Sequence, residues 1–333
     1  MGVNSTFGNV ASRRINSLRK RLSGALQGNR IFCRRIREPF RDATMETVSD
    51  LAGWPVPVRS LREGIAIPAQ RMRRRHHVVD PDKAAKDFAG CSALALMTKA
   101  PRAGKVKTRL VPPLTNEEAA QLNRCFLYDT GAAISVCCTG LIGSNSRPIA
   151  RGMAVYTPVG AESDYADILP ADFSLLPQRG ENFGERLYFA AEDLFKCSFE
   201  SVCLIDSDSP TIPAENFTRA VELLSLPGDH IVLGPCDDGG YYLIGLKQLH
   251  QEVFERIDWS TERVLEQTME RATQIGVGVH ELPRGLDVDD HASLRRLCGE
   301  LLGNNAGDNV APQTQQFLRE LIARDGLERV WSE

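Results

Sequence analysis

Residues 92–98, Ser-Ala-Leu-Ala-Leu-Met-Thr, form an almost unbroken apolar run that ends in a turn-rich basic loop, and the same design recurs downstream. Residues 201–205 run straight into Asp206-Ser-Asp208, and residues 230–234 run into Pro235-Cys-Asp-Asp-Gly-Gly240. A short run without apolar/polar alternation is what a strand covered on both faces requires. Helical stretches separate these runs. Thr115-Asn-Glu-Glu118 is a capping box that opens a helix through about Asp129. Further helices are predicted at residues 183–194, 214–224, 261–275, 290–302 and 313–324, and further strands at 133–138, 153–157 and 277–282, with another apolar stretch at 241–246. Strands alternating with such helices imply right-handed crossovers and a mostly parallel sheet, hence a three-layer α/β/α fold. In such sheets ligands bind beyond the carboxyl ends of the strands. The unusual polar residues fall there.

Charge divides the chain. Residues 1–90 hold 18 Lys+Arg against 8 Asp+Glu, and residues 91–333 hold 22 against 35. The acidic part is a poor nucleic-acid surface, because phosphate backbones need clustered cations. Three segments follow: a basic, partly disordered extension over 1–90, a catalytic domain over 91–302, and a linker with a terminal helix over 303–333. Residues 1–37 carry nine Lys/Arg and no acid, as a transit peptide or a basic tail would, and Gly2 with Thr6 formally fits a myristoylation pattern. No stretch approaches the roughly 20 apolar residues of a membrane span. The nine cysteines form no CxxC pair and several sit in apolar runs, so buried free thiols of a cytoplasmic protein are expected, with organellar targeting as the alternative. The assembly state is open.

Four polar constellations can carry chemistry. Lys99-x-Pro101-x-x-Gly104-Lys105-x-Lys107-Thr108-Arg109 places up to four cations on a tight loop after a buried strand, a cradle for diphosphate oxygens, although it lacks the GxxxxGK[ST] pattern of a P-loop. Asp206 and Asp208 offer hard oxygen ligands suited to Mg²⁺ or Mn²⁺, with helix capping as the structural alternative. Asp237-Asp238-Gly239-Gly240-Tyr241 combines acids, permissive glycines and an aromatic ring that suit polyol hydroxyls, or simply a turn. Asp287 and Asp289 could return to the same metal, while Asp290 can serve as an N-cap. Glu185 and Arg186 are placed at the mouth of the cleft. His280 and His291 form no metal-binding pattern and read as structural or surface residues.

These segments, with Ile257-Asp-Trp-Ser-Thr261, resemble the bacterial DUF2064 family over residues 92–300. That family is similar to GT-A type nucleotide-diphospho-sugar transferases and, more distantly, to small nucleotidyltransferases. The resemblance implies Lys107 and Arg109 at the phosphates, Asp208 and Asp289 as metal ligands, and Asp238 with Tyr241 lining the donor-sugar or acceptor pocket. Lys99, Gly104, Asp206 and Asp237 complete the expected ligand-binding set. The chain departs from the family where Asp206 replaces the more usual Gly, and where Asp290-His-Ala-Ser293 replaces Thr-Pro-Glu-Asp.

The leading expectation is metal-dependent glycosyl transfer from a nucleotide-diphospho-sugar to a small-molecule or glycan hydroxyl. Lys107 and Arg109 would stabilise the leaving diphosphate and Asp238 would receive the acceptor proton. Nucleotidyl transfer to a phosphorylated small molecule uses nearly the same groups but attacks phosphorus. A non-catalytic nucleotide-sugar binding or interaction domain is the third reading.

Overall fold

The computed structural model describes residues 75–83, 88–143, 148–303 and 310–331. Most of the basic extension, with its targeting readings, lies outside the described residues. Those described belong to one compact unit, 67–333.

Among the described residues, eight strands make one sheet. In chain order they are β1 His77–Val78, β2 Ser92–Lys99, β3 Ala150–Thr157, β4 Ser174–Pro177, β5 Ser201–Ile205, β6 His230–Pro235, β7 Tyr241–Leu246 and β8 Gly278–Glu281. Their spatial order is β1-β4-β3-β2-β5-β7-β6-β8. Every pairing is parallel except those of β7, which runs antiparallel to both β5 and β6. The reversal matters for the site. Because β6 and β7 form a hairpin, the loop between them opens at the same end as the loops that follow β2, β5 and β8.

Among the described residues the six longer α-helices are α1 Asn116–Gly140, α2 Phe183–Lys196, α3 Ala214–Leu224, α4 Val264–Gln274, α5 His291–Leu302 and α6 Pro312–Asp325, followed by a single turn at Glu328–Trp331. Along β2 the period of two sends Leu94 and Leu96 into a core with Leu127 and Ile134 of α1 and Phe217 and Val221 of α3. Ala93 and Ala95 face the opposite core, with Leu187 and Leu194 of α2 and Leu265 of α4. This is the expected three-layer α/β/α arrangement. A third cluster joins Leu122 and Phe126 of α1 to Leu294 and Leu297 of α5 and Leu318 and Leu321 of α6. The terminal helix therefore packs on the same body as the sheet. Eight described cysteines are free and buried, as expected from the sequence.

One expected strand is absent. Residues 133–138 continue α1, which runs for 25 residues from the Thr115–Glu118 capping box. A short apolar run does not distinguish a strand from a buried helix turn. Here Leu127, Ile134 and Cys138 recur at helical spacing and are buried, whereas Val136 is 62% exposed. Gly131 lets this helix lie against the chain, since a Cβ there would come within 3.0 Å of Pro170. Sequence reading also missed the short strands β1 and β4. No helix among the described residues is long and apolar enough to cross a membrane.

Candidate functional site

The loops beyond the carboxyl ends of β2, β5, β6 and β8 meet around Lys107. Its backbone is left-handed (φ 48°), an uncommon conformation for a residue with a side chain, and it precedes a single helical turn, Thr108–Leu110. The side chain is only 3% exposed. Its ammonium donates to the Val288 carbonyl at 2.6 Å and to Asp289 Oδ1 at 3.0 Å, and lies 2.9 Å from Asp208 Oδ1. An ammonium has three protons, and these three oxygens account for them. The Phe126 ring lies beneath, 5.5 Å from Nζ to its centroid. Burial would pull the Lys107 ammonium down, but Asp208, Asp289 and Asp287 outweigh it and hold its pKa above the ordinary lysine value.

The acidic loops are also joined to each other through backbone. Val288 N–H donates to the Asp208 carbonyl at 3.1 Å. Asp208, Asp287 and Asp289 each offer a carboxylate oxygen, and these oxygens lie within 4.8 Å of one another. Asp287 Oδ1 is buried without a hydrogen-bond partner, which is costly unless a cation or donor meets it. Oxygen-only donors, with one buried oxygen left unmatched, fit a hard divalent cation such as Mg²⁺ or Mn²⁺. Burial, followed by the neighbouring Asp206 and Asp208 charges, raises the Asp287 pKa. Asp206 is raised by burial and then by Asp208. Its oxygens are engaged by Ser209 Oγ at 2.7 Å and by Asp208 N–H at 3.4 Å. Asp206 thus braces the turn that presents Asp208.

Two cavities open on either side of this cluster and share Arg109, Ser207, Asp208 and Asp289 in their walls. The smaller, about 270 Å³, is lined by Lys99, Lys105 and Lys107. The larger, about 630 Å³, is lined by Asp206, Asp237, Asp238, Asp287, Tyr241 and the rings of Phe183 and Trp259. Arg109 lies 3.7 Å from Asp289 Oδ2 with a 69% exposed side chain, so it reaches both. Nine of the ten residues in the expected ligand-binding and metal set, all but Gly104, therefore line one cavity or the other. Gly104 lines neither; with φ 70° it makes the turn that carries the lysines.

Their surroundings differ in detail. Asp237 is ion-paired with Arg296, and Asp238 Oδ1 accepts from Gly240 N–H at 2.9 Å, a turn contact that leaves Asp238 exposed to the cavity. The Tyr241 hydroxyl is buried away from solvent, so this residue presents its ring rather than its oxygen. Asp290 caps α5, its side chain accepting from Ser293 N–H at 2.8 Å. Glu185 and Arg186 do not line the cavities; Glu185 instead accepts from Glu181 N–H at 2.9 Å. Sequence reasoning left the aromatic wall without a role, although Trp259 stood inside a motif already singled out. Gly184 is its structural signature, since a Cβ there would come within 2.7 Å of Trp259 Nε1. Phe183 meets Trp259 edge-on, with ring centroids 5.1 Å apart.

Comparisons with known proteins place the chain. The family described as "Uncharacterized protein conserved in bacteria (DUF2064)" matches residues 145–261, which include Asp206, Asp208, Asp237 and Asp238. The crystal structure of a candidate nucleotide-diphospho-sugar transferase from Desulfovibrio desulfuricans G20 is 30% identical, with a TM-score of 0.60, covering 71% of this chain and 97% of that one. A cytidylyltransferase from Leptospira borgpetersenii serovar Hardjo-bovis is 9% identical, with a TM-score of 0.38 and coverage of 74% and 98%. CMP:2-keto-3-deoxy-manno-octonic acid synthetase complexed with CTP is 10% identical, with a TM-score of 0.39 and coverage of 62% and 96%. No curated protein sequence matches. With its five ordered motifs, this sheet and a relative at that identity and coverage, the chain belongs to the DUF2064 family.

Proposed function

We propose that the protein transfers a sugar from a nucleotide-diphospho-sugar to a hydroxyl acceptor, with Mg²⁺ or Mn²⁺ held by Asp208, Asp287 and Asp289. The observation that carries this reading is Lys107, a buried cation fixed between Asp208 and Asp289, two carboxylates that border both a basic cavity and an acidic one. Similarity to the Desulfovibrio protein supports it. The residues invoked all lie within 91–302, which we take as the catalytic domain.

In this reading Lys99, Lys105 and Arg109 bind the diphosphate oxygens by charge-assisted hydrogen bonds. Lys107 holds Asp208 and Asp289 in register and adds positive charge where the leaving diphosphate gains negative charge. A divalent ion held by Asp208, Asp287 and Asp289 would supply Lewis-acid neutralisation of that same charge. Asp238 faces the larger cavity and takes the proton from the acceptor hydroxyl, its orientation fixed by Gly240 N–H. The bond broken joins the anomeric carbon to the diphosphate oxygen, and the bond formed joins that carbon to the acceptor oxygen. Nucleoside diphosphate leaves.

A basic cavity ending on carboxylates also suits a nucleoside triphosphate, so nucleotidyl transfer is the second reading. Product analysis separates the two. Incubation with nucleotide-diphospho-sugars and Mg²⁺ or Mn²⁺ is expected to release nucleoside diphosphate. Pyrophosphate release from a triphosphate as the main activity would overturn glycosyl transfer.

A further inference from the structure

The two cavities differ in what their cations are free to do. No lysine lines the larger one among the described residues; of its two arginines, Arg296 is paired with Asp237 and Arg109 stands at the boundary with the smaller cavity, where the transfer reading gives it to the diphosphate. Asp238 and Glu262 stand on the same wall, exposed and without an ion pair among the described residues. Ionised carboxylates only accept hydrogen bonds, so they call for O–H or N–H donors and repel an incoming anion. Part of the wall is apolar. Phe183 is 52% exposed, an unusual position for a large aromatic ring, and is braced by Trp259 with Met97 and Leu187 nearby. The ring is held in place and lines the cavity.

We propose, resting on the transfer reading above, that the larger cavity takes an uncharged acceptor that is rich in hydroxyls and has one apolar face, such as a glycoside, and rejects phosphorylated and carboxylated acceptors. Hydroxyls would donate to Asp238 and Glu262 while the C–H face lies against Phe183. A cationic acceptor would meet Arg109 and Arg296, the two arginines in the cavity wall, so acidity of the outer wall does not favour an amine. The smaller cavity, with Lys99 and Lys105, is the place for anionic groups. Phosphate recognition is thereby confined to the donor.

Saturation-transfer NMR on the full chain with Mg²⁺ tests this without requiring turnover. The probes are methyl β-D-glucoside, glucose 6-phosphate, glucuronate and glucosamine. The glucoside is expected to bind at least tenfold more tightly than the other three. Phe183→Ala should weaken the glucoside several-fold, and Glu262→Lys should strengthen glucose 6-phosphate; both positions are exposed, and retained folding is checked by circular dichroism. Equal or tighter binding of the phosphate, the carboxylate or the amine overturns the inference, as does failure of the glucoside to bind. Its fate is separable from that of the transfer reading. The expected ranking without nucleoside diphosphate release from any donor would keep this inference and defeat glycosyl transfer, whereas release with the opposite ranking would do the reverse.

Discussion

The half of the sheet built from β1, β4, β3 and β2 contributes the lysines and Arg109 to the site, with Phe183 after β4, whereas the half built from β5, β7, β6 and β8 contributes the carboxylates and Trp259. Lys99, Lys105, Lys107 and Arg109 all follow β2, and Asp208, Asp238 and Asp287 follow β5, β6 and β8. The two halves meet at Lys107, which crosses from the basic loop to the Asp208 and Val288 side. Charge is thus segregated by topology. Substitutions in one half should leave the function of the other largely intact, except at that crossing.

Lys107→Ala is the largest expected break, because it affects both halves. Removing one partner of a buried ion pair costs about 3–5 kcal/mol, and loss of a positioned cation at a developing negative charge costs about 10²–10³ in kcat. Thermal unfolding and single-turnover rates check the two effects separately. Loss of rate without loss of stability would make Lys107 an ordinary phosphate contact.

Asp208→Asn and Asp287→Asn come next, and they separate metal-free stability from metal binding. Without metal, Asp287→Asn relieves repulsion in the crowded cluster and should melt no lower than the parent, whereas Asp208→Asn takes a charge partner from buried Lys107 and should melt lower. The rise in Tm on adding Mn²⁺ should be lost, a rise worth about 2.7 kcal/mol when the ion is at 100 times its Kd. If Asp208→Asn keeps a measured transfer rate, the site is used for binding rather than chemistry.

How much of this was legible in sequence follows the same division. The buried strands β2, β5 and β6 announced themselves because strands covered on both faces need unbroken apolar runs, and the polar residues after each run marked the site. Residues 133–138 misled because β-branched and small apolar residues suit a strand as readily as a helix packed on a sheet, and tertiary packing made the choice. The reversed direction of β7 was hidden, since a strand's pattern carries no polarity. Asp287 could be raised as a ligand, but its third place in the cluster depended on the turn that brings Val288 N–H to the Asp208 carbonyl. Phe183 and Trp259 lie 76 positions apart and meet only in the fold. Local spacing does not reveal such a pair.

Smaller effects sharpen the division of labour. Lys99→Ala and Lys105→Ala remove exposed cations from the basic cavity, each worth about 1 kcal/mol or less in a solvated setting. Each should raise the donor KM several-fold, more at low salt, while Mn²⁺ affinity measured by calorimetry stays unchanged. Thr115→Ala deletes the cap of α1, where the Thr115 hydroxyl accepts from Glu118 N–H at 3.2 Å. It should cost about 1 kcal/mol of stability in denaturant titrations, with donor KM and metal affinity both retained.

The central claim is that the basic loop and the acidic cluster form one site, with anion binding on one side dependent on cation binding on the other. Calorimetric titration of nucleoside diphosphates into the parent protein and Asp289→Asn, each with and without Mn²⁺, tests it most directly. The expected result is that at least one diphosphate binds the parent tightly with Mn²⁺ and at least tenfold more weakly without it, and that Asp289→Asn abolishes this gain. Equal affinity with and without the ion, or an undiminished gain in Asp289→Asn, would contradict the account.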